Sequence, residues 1–372
     1  MKVLLVANYE PDAQQSMLRY AEFLRRELSQ RGFTMDVIQP PVHAGRLLPR
    51  SHPLAKWLGY IDKYLLFPRQ LQKLAAGYDL VHICDHSNAV YVKWAGDTPS
   101  LVTAHDMLAI LSAQGRYPQN PTKKTGQWLQ AWILRGLNRA RCIVSVSEKT
   151  KRDLDGLLQS KPLISVIHHA LNWSYSPASE AEIAEARAAC GLSPGDEYLL
   201  HVGGNHWYKN RTGVLRIFAE LRRKEGFRKV KLVLAGEAWM ESMREICREQ
   251  GITDAIEVVS PSNETVRALY TGALAFLFPS LEEGFGWPIL EAQACGALVI
   301  TSARAPMDEV AGAGAIYIDP ENPVQAAGVI AERMPDAEAI RAAGWKNLER
   351  FTLESVMKRY VDAYHEAAAI RP

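Results

Sequence analysis

The sequence predicts an α/β protein that consists of two doubly wound domains, each built on a parallel β-sheet. Its 372 residues exceed what one ordinary hydrophobic core organises. Apolar runs alternate with longer segments of helical period through both halves of the chain, which indicates parallel sheets covered by helices. Most of these runs are apolar at nearly every position, as expected for strands that are buried on both faces.

Twelve runs are predicted to be strands, six in each half of the chain. In the first half they are residues 2–8, 34–40, 79–84, 100–105, 142–147 and 164–170. In the second half they are residues 197–203, 230–236, 256–260, 273–279, 297–301 and 315–319.

The boundary between the domains is predicted where this alternation breaks, at residues 172–177. Ser179 is then a suitable N-cap for the next helix. We therefore expect an N-terminal, acceptor-side domain at residues 1–172 and a C-terminal, donor-side domain at residues 173–350. Residues 351–372 form a terminal segment with an amphipathic helical pattern. Ligands of open α/β sheets bind beyond the carboxyl ends of the strands, so the two domains are expected to face a cleft.

Charge is distributed unevenly along the chain. Residues 1–170 contain 22 Lys and Arg against 13 Asp and Glu, a net charge of +9, and the remaining residues carry −7. An anionic partner is therefore expected to meet the first half of the chain.

Two segments of the first half combine basic with aromatic residues. Residues 43–76 hold six Lys and Arg against one acid, Asp62, and residues 107–147 hold six with no acid. Such mixtures are typical of binding to anionic lipid or to an anionic acceptor, and they equally fit ordinary helices with aromatic core residues and solvated charges. The candidates for an acceptor or membrane surface are Arg46, Arg50, Lys56, Trp57, Lys63, Lys123, Lys124 and Trp128.

The most specific motif is SLEEGFGWPILE, at residues 280–291, which follows a predicted strand and enters a predicted helix. It sets Glu283 and Glu291 eight positions apart around a turn with two glycines. Pro288 suits the first turn of a helix, whose free amides favour an anion. The two glutamates alone would also fit an ordinary strand-loop-helix unit. The whole string, with its continuation EAQACGALVITS, resembles the E-x7-E signature of the retaining glycosyltransferases of family 4.

This resemblance implies the GT-B architecture, in which the terminal helix returns to pack on the first domain. It also implies transfer of a sugar, with retention, from a nucleotide-diphosphate sugar to a glycan or lipid-linked acceptor in cell-envelope or exopolysaccharide synthesis. The expected step is a front-face substitution assisted by the leaving phosphate. No cofactor and no metal are implied. The expected partners are the sugar nucleotide, the acceptor and an anionic membrane surface, without nucleic acid.

The same resemblance implies roles for individual residues. His105, at the end of a predicted strand, would contact the donor sugar and a phosphate oxygen, although a histidine there could also cap the loop. Lys209 would bind the leaving diphosphate, Glu283 would position the sugar, and Glu291 would hold the ribose. The other donor-binding candidates are Gly203, Gly204, Arg211, Gly236, Glu237, Ser260, Pro261, Gly284, Phe285 and Gly286.

Two positions depart from the family pattern. Family members usually carry an arginine directly after the strand that ends near Gly203, and here Gly204 stands in that place. Arg211 is a candidate replacement or a solvated helix residue. The usual glycine-rich loop after the first strand is replaced by residues 8–17, so the acceptor side is expected to differ there.

Other features limit the remaining possibilities. Asp153 and Asp155 form a D-x-D pattern within a helical segment, where positions i and i+2 point to different sides, so a solvated face is predicted. The five cysteines are far apart and are predicted to be buried free thiols of a reducing compartment. With no export signal, a cytoplasmic protein is expected, peripheral on the inner face of the membrane. A sugar-nucleotide epimerase and a catalytically silent sugar-nucleotide-binding protein are the alternative functions.

Overall fold

The computed structural model describes residues 1–49 and 52–370, apart from the side chain of Gln15. The chain forms two compact units. The first contains residues 1–172 together with the segment that begins at Leu353, and the second contains Trp173–Thr352.

The first unit is built on a six-stranded parallel sheet. Its strands are β1 (Lys2–Val6), β2 (Thr34–Ile38), β3 (Leu80–Ile83), β4 (Ser100–Ala104), β5 (Cys142–Ser145) and β6 (Leu163–Val166). Their order across the sheet is β2-β1-β3-β4-β5-β6. In the register of the central strand, Val3 pairs with Met35 on one side and with Leu80 on the other.

The second unit is built on another parallel sheet of six strands. They are β7 (Tyr198–Gly203), β8 (Lys231–Gly236), β9 (Ala255–Val259), β10 (Ala275–Phe278), β11 (Val299–Ser302) and β12 (Ala315–Ile318). Their order is β12-β11-β10-β7-β8-β9. The predicted fold class, two doubly wound parallel-sheet domains, is confirmed.

Helices cover both faces of each sheet. The first unit contains α1 (Gln15–Ser29), α2 (Ala55–Ile61), α3 (Phe67–Ala75), α4 (Leu108–Ala113), α5 (Lys124–Leu137) and α6 (Glu148–Leu157). The second contains α7 (Glu180–Ala189), α8 (Arg211–Leu221), α9 (Glu241–Gln250), α10 (Asn263–Gly272), α11 (Trp287–Ala294), α12 (Met307–Ala311), α13 (Pro323–Arg333) and α14 (Ala337–Asn347). The last helix, α15 (Leu353–Ala369), belongs to the first unit. Ser179 caps α7 through a hydrogen bond from the Glu182 amide, as predicted.

Each strand order reverses once, and this fixes where ligands are expected. In the first sheet the reversal lies between β1 and β3, and in the second between β7 and β10. Loops that follow the two strands at such a point diverge to opposite sides, which leaves a crevice at the carboxyl ends of the strands. Ligand-binding residues are therefore expected in the loops after β1 and β3 and in those after β7 and β10.

One turn of π-helix, Asp62–Leu66, connects α2 to α3. Pro68 explains it, because proline has no amide to donate to the Tyr64 carbonyl four residues earlier. Such turns are frequent at functional sites. Here the turn places Asp62 and Lys63 on the inner side of the helix, where both are buried.

The terminal helix α15 packs on the same face of the first sheet as α1. Tyr360 and Tyr364 are fully buried in this cluster. The Tyr364 hydroxyl lies 2.7 Å from His82 Nδ1, and His82 Nε2 lies 2.8 Å from the Thr103 hydroxyl. Burial lowers the pKa of His82 to about 3, so its ring is neutral and shares protons with both hydroxyls. This satisfied polar network fixes the position of α15 on the sheet.

The D-x-D pattern lies on α6, where Asp153 pairs with Lys149 at 3.0 Å and Asp155 with Lys151 at 2.8 Å. Its two carboxylates are therefore held in separate ion pairs, each of which spans one helix turn. All five cysteines are free, but the prediction that all are buried is wrong for two of them. Cys190 and Cys247 are partly exposed because each lies near the solvent side of a covering helix.

Candidate active site

The loops after β7 and β10 form one structure at the reversal point of the second sheet. The loop after β7 contains a short helical turn, Trp207–Lys209, and ends at Asn210 in the left-handed conformation, with φ of +53°. The Asn210 side-chain amide donates to the carbonyl of Pro279, at 3.0 Å, in the loop after β10. The Leu281 amide donates to the Tyr208 carbonyl at 2.7 Å. These bonds hold the two loops together.

Lys209 and Glu283 form an ion pair between these loops. The Lys209 ammonium lies 2.7 Å from Glu283 Oε1, which also accepts a hydrogen bond from the Ser280 hydroxyl at 2.9 Å. The Lys209 side chain is 15% exposed, and its ammonium lies 5.0 Å from the centre of the Phe278 ring and 5.7 Å from that of Tyr208. A charged pair with so little water around it interacts more strongly than a surface pair. The structure thus joins two residues that the sequence separates by 74 positions.

Glu291 lies on α11, one helix turn below the motif loop. Gly286, with φ of +109°, precedes the helix and allows the sharp turn into it. The Tyr270 hydroxyl donates to Glu291 Oε2 at 3.2 Å. Burial raises the pKa of Glu291 to about 7, although the hydrogen bond from Tyr270 and the charge of Lys209 oppose this rise. Because Lys209 acts electrostatically on Glu291 and is paired with Glu283, the three predicted residues belong to one site.

Arg211 is buried, so the alternative prediction of a solvated helix residue is wrong. It is 2% exposed, and its Nη1 donates to Asn205 Oδ1 at 2.5 Å and to the Glu237 carbonyl at 2.8 Å. The Glu237 carboxylate accepts a hydrogen bond from the backbone amide of Asn205 at 2.9 Å. A Cβ atom at Gly204 would lie 2.8 Å from Glu237 Oε1. Glu237 therefore fills the space beside Gly204, and Arg211 holds the loops after β7 and β8 together from below.

The glycine at position 236 is required by close packing of backbone. A Cβ atom there would lie 2.2 Å from the Gly203 carbonyl oxygen. Ser260 follows β9 with φ of +49°, and its amide donates to the Gly236 carbonyl at 2.7 Å. Gly203, Gly236 and Ser260, all predicted to bind the donor, thus form adjoining backbone at the edge of the sheet, with Pro261 next to them in sequence.

Phe285, which is predicted to bind the donor, has a side chain that faces the core. It is buried, and its ring packs edge-on against Phe351 with 6.0 Å between the ring centres. The apolar ring is better accommodated in the core than beside a polar ligand. Any donor contact at this position would be made by the backbone, as at its neighbour Gly284.

His105 lies at the carboxyl end of β4 in the first unit and is buried. Its Nε2 is 2.9 Å from the Cys84 carbonyl, which can only accept, so Nε2 carries the proton. The ring stacks on His169 at 5.4 Å, and its Nδ1 has no hydrogen-bond partner in the described part of the chain. Burial lowers the pKa of His105, while the charge of Asp85 raises it. In this tautomer Nδ1 accepts a hydrogen bond, which suits a sugar hydroxyl, and the contact to a phosphate oxygen stays a prediction.

The candidates for an acceptor or membrane surface fall into two groups. Trp57 is 58% exposed and Trp128 is 64% exposed. The cations Arg46, Lys56, Lys123 and Lys124 are exposed as well. Lys63 instead is buried and paired with Asp12 at 2.7 Å, so it is not part of an exposed membrane surface, while its assignment to the acceptor side stays a prediction. The π-helical turn rotates Lys63 inward, which helical periodicity did not indicate. Arg50 lies outside the described residues.

Sequence reasoning missed Tyr270, Asn210 and Asn205. Tyr270 lies on α10 and reaches Glu291 across 21 positions, and no motif marks it. Asn210 does carry a signal, because asparagine directly before a helix tolerates the left-handed conformation. The contacts of Asn205 to Glu237 and Arg211 depend on how the loops after β7 and β8 meet, which the sequence does not show.

The raised pKa of Glu291 predicts a pH-dependent stability difference. A buried carboxyl group with a raised pKa makes its full contribution to stability when the pH is below the pKa it has in the unfolded chain. This contribution is lost as the pH rises through about 7. Glu291→Gln should therefore gain melting temperature relative to the parent protein between about pH 4.5 and pH 7, by several degrees. Differential scanning fluorimetry across pH measures it. Glu245→Gln is the control, because Glu245 is exposed on α9. Its difference in melting temperature from the parent protein should not change with pH. The same pH independence in Glu291→Gln would contradict the burial argument.

Two family comparisons cover most of the chain. The family described as Glycosyltransferase Family 4 matches residues 17–174, and the family described as Glycosyl transferases group 1 matches residues 182–346. Among curated proteins, the chain is 26% identical over 273 residues to the O-antigen chain mannosyltransferase B of Escherichia coli, over 71% of this chain and 70% of that one. It is 34% identical over 134 residues to the D-inositol 3-phosphate glycosyltransferase of Salinispora tropica, over 34% of this chain and 27% of that one.

Solved structures show the same fold. Sucrose-phosphate synthase from Thermosynechococcus elongatus has a TM-score of 0.73 at 19% identity and covers 98% of both chains. Anabaena HepE in complex with UDP and glucose has a TM-score of 0.71 at 16% identity and covers 100% of both chains. Both halves of the sequence, the fold and the motif at residues 280–291 agree, and the chain belongs to the family 4 glycosyltransferases of the GT-B fold.

Proposed function

We propose that this glycosyltransferase moves a sugar, with retention and without a metal ion, from a nucleotide-diphosphate sugar to a glycan or lipid-linked acceptor of the cell envelope. The observation that carries the proposal is the ion pair of Lys209 and Glu283 at the reversal point of the second sheet. It combines the charge that a leaving diphosphate needs with a carboxylate for the sugar, at the place where open α/β sheets bind ligands.

Lys209 is the residue that would stabilise the departing diphosphate. Its ammonium is held by one carboxylate and two aromatic rings, so little reorganisation is needed when negative charge develops beside it. The diphosphate would compete with Glu283 for this cation. Glu283, which also accepts a hydrogen bond from Ser280, would then be available to accept hydrogen bonds from the sugar hydroxyls.

Glu291 would hold another part of the donor. Glu291 interacts electrostatically with the same lysine and offers carboxylate oxygens that suit ribose hydroxyls. His105, with its proton on Nε2, would accept a hydrogen bond from a sugar hydroxyl at Nδ1. Arg211 would act indirectly, by holding the loop that carries Lys209.

Related proteins support the substrate class. HepE was solved with UDP-glucose, and another relative is named as a GDP-mannose:cellobiosyl-diphosphopolyprenol alpha-mannosyltransferase. These names agree on a nucleotide-diphosphate sugar and differ in its base. A thermal-shift panel of nucleoside diphosphates would identify the base, because a ligand that binds the native state raises its apparent stability.

Substitution of the ion pair tests the site. Lys209→Ala and Glu283→Gln should each slow the release of nucleoside diphosphate from the donor by about 100–1000-fold, the usual effect of losing one strong contact to the transition state. Lys231→Ala is the matched control, since Lys231 pairs with Asp196 at 2.6 Å at the opposite end of β8. Near-normal release by both site variants would disprove the assignment.

Retention is tested by the product. The new glycosidic bond should have the anomeric configuration of the donor, and the reaction should proceed in excess EDTA. Proton NMR of the first-formed product reads the configuration directly. An inverted anomer would exclude the retaining mechanism, and complete loss of turnover with EDTA that Mg²⁺ restores would exclude metal independence.

We further propose that the first unit binds an anionic membrane surface. Within the described residues, no helix has the length and apolar character needed to cross a bilayer. The exposed Trp57 and Trp128 instead flank an aromatic series that continues through Tyr60, Tyr64 and Trp132, with 4.9–5.6 Å between neighbouring ring centres. Exposed tryptophans beside lysines are suited to the headgroup region, where each lysine or arginine contributes about 1 kcal/mol.

Loss of the two tryptophans tests this surface. Trp57→Ala with Trp128→Ala should reduce binding to vesicles that contain phosphatidylglycerol at least tenfold, and 1 M salt should weaken the parent protein's binding because charges are then screened beyond about 3 Å. Trp345→Ala, which removes a 45% exposed tryptophan of the second unit, is the control. Unchanged vesicle binding by the double variant would contradict the proposal.

A further inference from the structure

A cavity of about 470 Å³ opens beside the loop that follows β1, one of the two loops at the reversal point of the first sheet. The segment after β1, with Tyr9, Asp12 and Gln14, forms one side of it, and α2 with its π-helical turn forms the other. This segment stands where a glycine-rich loop is usual. The cavity therefore lies at a ligand-binding position of the fold but has walls of its own.

Lys63 is the buried cation of this cavity. Its ammonium lies 5.1 Å from the centre of the Tyr60 ring, 5.6 Å from that of Tyr9 and 5.7 Å from that of Tyr64. It is about nine-tenths buried and makes its ion pair with Asp12. A desolvated ammonium needs an anion beside it, and here the chain supplies that anion from a partly exposed side chain.

Lys56 adds a second cation one to two helix turns away. It lines the same cavity and lies 5.8 Å from the centre of the Tyr60 ring. No carboxylate pairs with it in the parts of the chain that the structure describes. Asp62, the nearest acid in sequence, does not pair with Lys56. Its carboxylate accepts hydrogen bonds from the Ala44 amide, the Gly45 amide and the Tyr9 hydroxyl. The cavity thus has two lysines against one exchangeable carboxylate.

The segment that supplies Asp12 is held in a strained turn. Ala13 adopts the left-handed conformation, with φ of +56°, which is unfavourable for a residue other than glycine. Asp12 is the last residue of the turn Glu10–Asp12, and its carboxylate accepts a hydrogen bond from Lys63.

We propose that this cavity binds the phosphate or diphosphate group of the acceptor, with Lys56 and Lys63 as its contacts and Asp12 as the internal anion that the ligand displaces. A phosphate carries more charge and more acceptor oxygens than one carboxylate, and lysine binds it as a point charge. Leu129, from α5, closes the cavity on the side of the exposed Trp128. A hydrocarbon chain attached to the phosphate would lie along that aromatic surface. The proposal rests on the proposed function, because it names the class of acceptor.

Binding of farnesyl diphosphate tests the proposal, with the full chain in the Lys209→Ala background to remove the cation of the donor site. Lys56→Met with Lys63→Met should weaken binding at least tenfold. Asp12→Asn should tighten it several-fold, because it removes the competing anion, and a gain of affinity cannot result from misfolding. Lys93→Met is the matched control, since Lys93 also lies over an aromatic ring, that of Trp94, but outside this cavity.

Two further probes identify what the cavity recognises. Farnesol should bind at least tenfold more weakly than farnesyl diphosphate, and equal binding would overturn the phosphate assignment. Inorganic pyrophosphate that binds as tightly as farnesyl diphosphate would indicate a water-soluble phosphorylated acceptor, and much weaker binding would indicate a lipid-linked one. Unchanged affinity in the lysine double variant or in Asp12→Asn would also overturn the proposal.

Donor chemistry is measured separately in the parent protein. If it releases no nucleoside diphosphate from any sugar nucleotide, the proposed function fails, whatever the farnesyl diphosphate experiment shows. If release is normal and the cavity variants bind the probe like the parent, only the acceptor proposal fails.

Discussion

The parallel direction of the strands is the constraint on which the rest of this structure depends. Because all six strands of a sheet run the same way, all their carboxyl ends lie at one edge, and every loop that leaves there is exposed on that edge. Where the strand order reverses, neighbouring loops separate and leave room for a ligand. Lys209 with Glu283 in one unit, and Lys63 with Asp12 in the other, lie at or beside such points.

These two ion pairs solve the same physical problem. A lysine that is to bind a phosphate strongly must be largely dehydrated, but an isolated ammonium in such a place is unfavourable by several kcal/mol. In each pair a carboxylate of the chain compensates the lysine while no ligand is bound, and aromatic rings occupy the space that water would fill. In the proposed function, an arriving phosphate would exchange one anion for another, which costs less than dehydrating a solvated lysine.

The supporting residues explain why the sites can keep their shape. Asn210 bonds the loop after β7 to the loop after β10, and Arg211 bonds it to the loop after β8. In the first unit, Asp62 fixes the segment at residues 44–45 and the Tyr9 hydroxyl through three hydrogen bonds. Polar side chains that are buried and bonded in this way are rigid, so the functional groups above them have few alternative positions.

The sequence by itself determined the fold class and the glycosyltransferase family. Buried parallel strands are apolar at almost every position, so all twelve could be recognised without knowledge of their neighbours, and the motif at residues 280–291 is local in sequence. The tertiary structure decided what each charge does. Lys63 and Arg211 are both buried, which their positions in helical patterns did not indicate. The π-helical turn before Pro68 directs Lys63 inward, and a non-local contact between loops holds Arg211. Partners such as Tyr270 with Glu291 depend on the distance between helices, and residue type and spacing along the chain contain no measure of that distance.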